Sequence, residues 1–225
     1  MSDVHGCYDK YCRMLEEISF SEQDTLFFLG DAADRGPEGI RVMQDLIHRP
    51  NVICLLGNHE DMFRSVARSL GKKLSRHEYG AFERTFINWT ERNGGLVTWR
   101  SFLELPEPEQ QEILAWMEGL PTYYEIAVEG RAFLLAHAGV GHYVKEKDPA
   151  DCALYDFIWE RMDYRKVYYQ DKLLVTGHTP TLMIDRSSFG RIVKQNHHIA
   201  IDCGAVYTGI LGCVCLETLE EFYVS

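Results

Sequence analysis

Short apolar runs recur along the chain, and each ends abruptly in glycine or polar residues. Thr25-Leu26-Phe27-Phe28-Leu29 gives way to Gly30-Asp31, and Val52-Ile53-Cys54-Leu55-Leu56 to Gly57-Asn58-His59-Glu60. Ala132-Phe133-Leu134-Leu135-Ala136 leads into His137-Ala138-Gly139, and Leu173-Leu174-Val175 into Thr176-Gly177-His178. Continuous apolar runs this short predict strands covered on both faces. Around the first of them the period changes. Residues 8–18 and 38–48 carry apolar positions three and four apart, with Ile40, Met43, Leu46 and Ile47 on one side of the second stretch. That spacing predicts helices. Strand, polar loop and helix in alternation predict an α/β layered sheet. Ligands of such sheets bind beyond the carboxyl ends of the strands, which is where each of these polar tips falls.

The pattern changes over residues 61–119, which read as a helical insertion forming one wall of a pocket. This stretch carries Trp89, Trp99 and Trp116 and is broken at Gly94-Gly95. The last third reads as β-rich, with strands expected over 123–128, 132–136, 191–194, 198–202 and 209–217, and a turn between strands at 185–190. No repeat, low-complexity segment or linker divides the chain, so one domain over 1–225 is expected. Asp3-Val4-His5 also belongs at a strand end, although only Met1 and Ser2 precede it. The expectation is either a shortened chain or a start assigned too late.

Composition narrows the function class. The net charge of −11, from 34 acidic and 23 basic residues, repels a phosphate backbone, so no nucleic-acid partner is expected. A phosphorylated substrate stays open, because bound dications reverse the local sign in a pocket. No stretch approaches the ~20 apolar residues of a membrane helix, and residues 1–5 lack the basic and apolar regions of a secretory signal. With seven cysteines, an odd number, reduced thiols and a cytoplasmic location are expected. Cys213 and Cys215 share one face of an expected strand and read as core.

The candidate chemistry sits on the tips: Asp3-Val4-His5-Gly6, Gly30-Asp31-Ala32-Ala33-Asp34-Arg35-Gly36, Gly57-Asn58-His59-Glu60, His137 and His178. Carboxylate, imidazole and amide oxygen together suit borderline divalent ions such as Mn, Fe or Zn. Asp31 has lone pairs enough to bridge two of them. Taken singly, each tip is as well explained as a turn former; five of one chemistry on strand ends are not. Glu60 reads as an acid favoured at a helix N-terminus. His48, His77, His142, His197 and His198 fit no part of the pattern and read as structural or solvated.

The order Asp-x-His-Gly, Gly-Asp-x-x-Asp-Arg-Gly, Gly-Asn-His-Glu, His, Gly-His resembles the phosphoprotein phosphatase branch of the calcineurin-like metallophosphoesterases. The likeness is strongest to the small bacterial and bacteriophage serine/threonine phosphatases. Asn93-Gly94-Gly95, Ile158-Trp159-Glu160-Arg161 and Ile201-Asp202-Cys203-Gly204-Ala205-Val206 resemble that group too. Where the family has glycine before its first aspartate, this chain has Ser2. The resemblance implies a two-sheet β-sandwich flanked by helices, in four α/β/β/α layers. It also implies two divalent metal ions, with Mn2+ foremost and Fe or Zn as alternatives. Asp3, His5 and Asp31 would hold the first, with Asp31 shared, and Asn58, His137 and His178 would complete the second. His59 would protonate the leaving oxygen with Asp34 orienting it, while Arg35 and Arg161, with Asn58, would engage the phosphate. The implied reaction is phosphomonoester hydrolysis by direct attack of a metal-bridging hydroxide on phosphorus. Phosphoserine or phosphothreonine in proteins is the first expected substrate and a dinucleoside polyphosphate such as diadenosine tetraphosphate the alternative. Specificity is expected from the 61–119 insertion and from loops over 142–155.

Overall fold

The computed structural model describes residues 1–225. Its first half runs α1 (Tyr8–Glu17), β1 (Leu26–Phe28), α2 (Gly39–Ile47), β2 (Val52–Cys54), α3 (Asn58–Ala67), α4 (Arg76–Ile87), α5 (Leu96–Leu103) and α6 (Glu107–Gly119). The second half runs β3 (Tyr123–Val128), β4 (Arg131–Ala136), α7 (Leu154–Ile158), β5 (Lys172–Thr176), α8 (Thr181–Ile184), β6 (Val193–Gln195), β7 (His198–Ala200), β8 (Leu211–Val214) and β9 (Glu221–Val224). A π-helical turn, Asn88–Arg92, joins α4 towards α5. No helix is long and apolar enough to cross a membrane.

The strands form a parallel pair β1-β2, a five-stranded sheet in the order β3-β4-β5-β7-β6, and an antiparallel pair β8-β9. In the five-stranded sheet β4, β5 and β7 are parallel and only the edges run antiparallel. Side chains alternate across a strand, and β4 uses both faces. Phe133 and Leu135 meet Leu29, Leu55, Val175 and Ile199 in a core between the sheets. Leu134 and Ala136 point the other way, into a core with Phe157, Ile158 and Tyr168 around α7. A third core lies behind β1 and β8, where Tyr11 and Met14 of α1, Ile40 and Met43 of α2 and Phe63 of α3 pack together. Three apolar cores separate helices, sheet, sheet and helix, which is the layered α/β arrangement expected.

Boundaries differ from the sequence pattern at several points. The first two apolar runs pair over only three residues each, 26–28 and 52–54. The flanking Leu29, Leu55 and Leu56 are buried where the chain leaves the ladder. Residues 185–190 link a short helix, α8, to β6 rather than two strands, and β9 was not expected at all. The helical stretch expected from about residue 61 opens inside α3, which starts at Asn58.

The start of the chain has a defined place. The Met1 ammonium donates to Phe27 O at 3.0 Å, Leu29 N–H to Met1 O at 2.9 Å and Asp3 N–H to Gly30 O at 3.0 Å. This strand-like pairing beside β1 sets Asp3 and His5 in one row with Asp31. A cavity of about 390 Å³ lies next to Met1, enclosed by apolar residues of β1, β8 and the facing sheet.

Candidate active site

Asp31, at the end of β1, is buried and central. Its Oδ2 is 3.5 Å from His5 Nε2 and 3.8 Å from His59 Nε2, while Oδ1 is 3.4 Å from His137 Nε2. Two buried triads, His5-Asp31-His59 and Asp3-Asp31-His137, each keep their ligand-type atoms within 4.8 Å of one another. Both contain Asp31. Asp3 accepts the His178 backbone N–H on both oxygens, at 3.2 and 3.1 Å. Asn58 Oδ1 lies 2.9 Å from His137 Nε2 and 3.0 Å from His178 Nδ1. Asp3, His5, Asp31, Asn58, His137 and His178, which span 175 positions of sequence, thus converge.

The outer hydrogen bonds of the imidazoles decide what the inner atoms can do. The outer nitrogens can only donate to the backbone carbonyls they meet: His5 Nδ1 to Ala33 O at 2.9 Å, His137 Nδ1 to Leu29 O at 2.7 Å and His178 Nε2 to Trp159 O at 3.1 Å. A neutral imidazole that donates from one nitrogen carries a lone pair on the other. The His137 and His178 lone pairs face Asp31 and Asn58 oxygens, which are also acceptors, while His5 Nε2 lies 3.5 Å from Asp31 Oδ2 and accepts from Arg35. Acceptor against acceptor in a buried site needs a cation between them. An outer N–H held by a backbone carbonyl is the usual way a metal-binding imidazole is fixed. The electrostatics agree. Burial, Asp3 and Glu60 push Asp31 well above the usual carboxylate range, so it lacks compensating positive charge. Burial holds His5 well below its ordinary value, with His59 and Arg35 adding to the effect, and holds His178 at about 2. His5 and His178 therefore stay neutral and available as donors of electron pairs. The residues fit a pair of divalent cations.

Beside this cluster His59 Nδ1–H donates to Asp34 Oδ2 at 2.6 Å. Burial lowers His59 and the nearby Arg35 charge lowers it further, while burial raises Asp34 to about 7. Arg35 donates from one guanidinium nitrogen to His5 Nε2 and from the other to His59 Nε2 at 3.0 Å. Arg161 stands apart from the cluster. It is exposed, donates to Met183 Sδ at 3.3 Å, and lines the same cavity as Asp31, Asn58 and His178.

Four residues support this geometry in roles that the sequence reading did not assign them. Glu60 sits in the first turn of α3, as expected of a helix N-terminal acid, but is fully buried. It accepts from Asp31 N and Ala32 N at 2.8 Å each and from Gly57 N at 3.1 Å, pinning the Asp31 loop. Trp89 is completely buried, stacks on Phe63 at 5.0 Å and donates Nε1–H to Asp34 Oδ2 at 2.6 Å. Thr98 Oγ1 accepts from Asp34 N at 2.9 Å, and Gly94 O accepts from Arg35 N at 3.0 Å. The insertion therefore braces the Asp34-Arg35 loop from behind. Of its residues only Asn93 lines the cavity over the cluster, and no residue of 142–155 does. The expectation that these segments wall the pocket is corrected: Leu182, Met183 and Tyr207 form its apolar side.

Backbone strain marks the same loops. Asp3, His5, Asp31, Asp34, Arg35 and His178 all have φ between 46° and 72°, a region uncommon for side chains other than Asn and Asp and costly when held. Close approach explains two glycines. A Cβ on Gly57 would collide with the Asp31 carboxylate, and one on Gly177 with Asp3 and Ser2. Ser2 itself fits, fully buried against Gly177, with its hydroxyl unpartnered. His198, expected to be structural, is buried and hydrogen-bonded to Thr176 Oγ1 at 2.7 Å.

A family model described as calcineurin-like phosphoesterase matches residues 1–191. The chain is 28% identical over 239 residues to an asymmetrical bis(5'-nucleosyl)-tetraphosphatase, PrpE, of Geobacillus thermodenitrificans, covering 94% of this chain and 86% of the relative. It is 30% identical over 139 residues to serine/threonine-protein phosphatase 2 of Salmonella typhimurium, covering 61% of this chain and 56% of the relative. A crystal structure described as a candidate diadenosine tetraphosphatase shares the fold with a TM-score of 0.69 at 17% identity, over 99% of this chain and 90% of that one.

Proposed function

Starting from the premise that this chain belongs to the calcineurin-like phosphoesterases, we propose that it hydrolyses dinucleoside polyphosphates at a two-cation centre. The observation that carries the chemistry is the pair of imidazole lone pairs, of His137 and His178, turned onto Asp31 and Asn58 oxygens by outer bonds to Leu29 and Trp159 carbonyls. Asp3, His5 and Asp31 would hold one ion, and Asp31, Asn58, His137 and His178 would hold the other. Such a pair, when bound, polarises phosphoryl oxygens and makes water a nucleophile near neutral pH. Mn2+ suits this mixed oxygen and nitrogen donor set, as do Fe and Zn.

The chain's own groups do the rest. Asp34 fixes the His59 ring through Nδ1, so Nε2 faces the cluster. Arg35 donates to Nε2, so that nitrogen carries the lone pair in the resting site. Once Nε2 takes up the proton released by the attacking water, His59 passes it to the leaving oxygen as the P–O bond to that oxygen breaks. Arg35, already against His59, meets non-bridging phosphoryl oxygens with its planar fork, and Arg161 approaches them from the cavity wall. No side-chain nucleophile is required, so the reaction proceeds without a phosphoenzyme.

The sequence motifs alone put phosphoserine and phosphothreonine first. The extent of likeness reverses that order, because the tetraphosphatase relationship spans nearly the whole chain and the protein-phosphatase relationship 61% of it. The latter keeps serine/threonine dephosphorylation as the second reading. Assay of diadenosine tetraphosphate beside a phosphothreonine peptide, with manganese, separates the two. The first reading expects the larger kcat/KM on the dinucleotide; a larger value on the peptide supports the second.

A further inference from the structure

The cavity over the cluster has two chemistries. Its floor is Asp31, Asn58 and His178 with Arg35 and Arg161 alongside, while Leu182, Met183 and Tyr207 give one side of the rim an apolar character and Asn93 and Thr208 border the rest. Tyr207 is 68% exposed and Met183 62%. Single exposed apolar side chains need no explanation. Several of them around a cation-rich phosphate floor match a ligand with an anionic end and a flat apolar end.

Tyr207 is held rather than loose. Its N–H and that of Thr208 both donate to Gly204 O, at 2.8 and 2.7 Å. Thr208 Oγ1 donates to Cys203 O at 2.7 Å. This pinned turn follows β7 directly, so the phenol ring is presented at a fixed place. One face of the ring is covered by Arg35, whose Cζ lies 5.4 Å from the ring centroid. The same guanidinium reaches His59 Nε2. A single side chain thus spans from the proton donor to the aromatic ring, so a phosphoryl group on Arg35 has the rest of its nucleotide within reach of Tyr207.

We propose that Tyr207 is a specificity residue whose free ring face stacks the base of a bound nucleotide, with Met183 completing the apolar rim. This deepens the dinucleoside polyphosphate reading and rests on it. A ring backed by a guanidinium suits an electron-rich purine face, since cation–π contact polarises the aromatic system. Stacking of one base on an aromatic side chain is lost ~5–150-fold on truncation.

The test reads inhibition of glycerol phosphate hydrolysis, a substrate without a base, by adenosine monophosphate and by inorganic phosphate. For the manganese-loaded protein, adenosine monophosphate should inhibit more tightly than phosphate. Tyr207→Ala should weaken adenosine monophosphate ~5–150-fold relative to phosphate, and Tyr207→Trp should retain the preference. Constants that shift together, or a preference untouched in Tyr207→Ala, overturn the proposal. Melting curves of both variants verify that the turn still folds. The two levels fail separately. Tyr207-dependent binding of adenosine monophosphate without hydrolysis of diadenosine tetraphosphate overturns the function reading and supports the base seat. Hydrolysis of the dinucleotide with no Tyr207 dependence overturns the seat alone.

Discussion

Two cavities of equal size, about 390 Å³ each, lie in this molecule and differ in the chemistry of their walls. One, beside Met1, is walled by Leu26, Phe27, Leu135, Val175, Ile201 and Phe222 among others, between the two sheets. The other opens over Asp31, Asn58 and His178. Apolar lining favours the first, whose few polar residues, Gln23, Asp24, Thr25 and Glu217, include no cluster of ligand-type side chains. The second gathers carboxylate, amide and imidazole from segments far apart in sequence and holds Asp31 and His178 at strained backbone angles. A cavity becomes a site through convergent, fixed polar atoms, and by that standard only the second qualifies. The contrast also locates the energetic roles: the first cavity borders the apolar packing that stabilises the sheets, and the second concentrates groups that burial penalises until cations compensate them.

That contrast can be broken from either side. His59→Asn removes the proton donor beside the second cavity while leaving Asp3, His5, Asp31, Asn58, His137 and His178 in place. Steady-state kinetics should show kcat falling ~10²–10⁴-fold, the usual worth of positioned acid–base catalysis, with bound metal retained. Unchanged turnover would remove His59 from the mechanism. Leu26→Ala acts on the first cavity. Leu26 is buried in β1, and its truncation should cost about 2–5 kcal/mol in denaturant unfolding, towards the lower end because it already borders a void. Its kcat, measured well below the melting transition, should match the parent within about two-fold. A large kcat loss without a stability loss would mean that the apolar cavity participates in chemistry after all.

The two regions were not equally legible in the sequence. Asp31, Asn58, His137 and His178 could be picked out because ligand-type residues ended apolar runs, and strand ends are where an α/β sheet puts its ligands. Asp3 and His5, with only Met1 and Ser2 before them, rested on the order of motifs they open. The apolar runs themselves gave away the layered cores, since Phe133 and Leu135 need one neighbour layer and Leu134 and Ala136 another. What stayed hidden depends on contacts between distant segments. Trp89 looks like any core tryptophan until its N–H is found on Asp34, 55 positions away. Glu60 was rightly placed at a helix start, yet its reach back to Asp31 N and Ala32 N depends on how α3 packs against the β1 loop. Tyr207 carries no local signal at all, because its significance lies in standing over Arg35. The insertion was misjudged as a pocket wall for a related reason. Helical periodicity shows that a segment packs, not what it packs against.

The account stands or falls on cations shared through Asp31, and elemental analysis of purified wild-type and Asp31→Asn protein, reconstituted with manganese and freed of excess, tests this most directly. The wild type should retain about two divalent ions per chain, and Asp31→Asn fewer than about one, with activity lost alongside. A wild type that retains none, or an Asp31→Asn protein that keeps the full complement, would contradict the account.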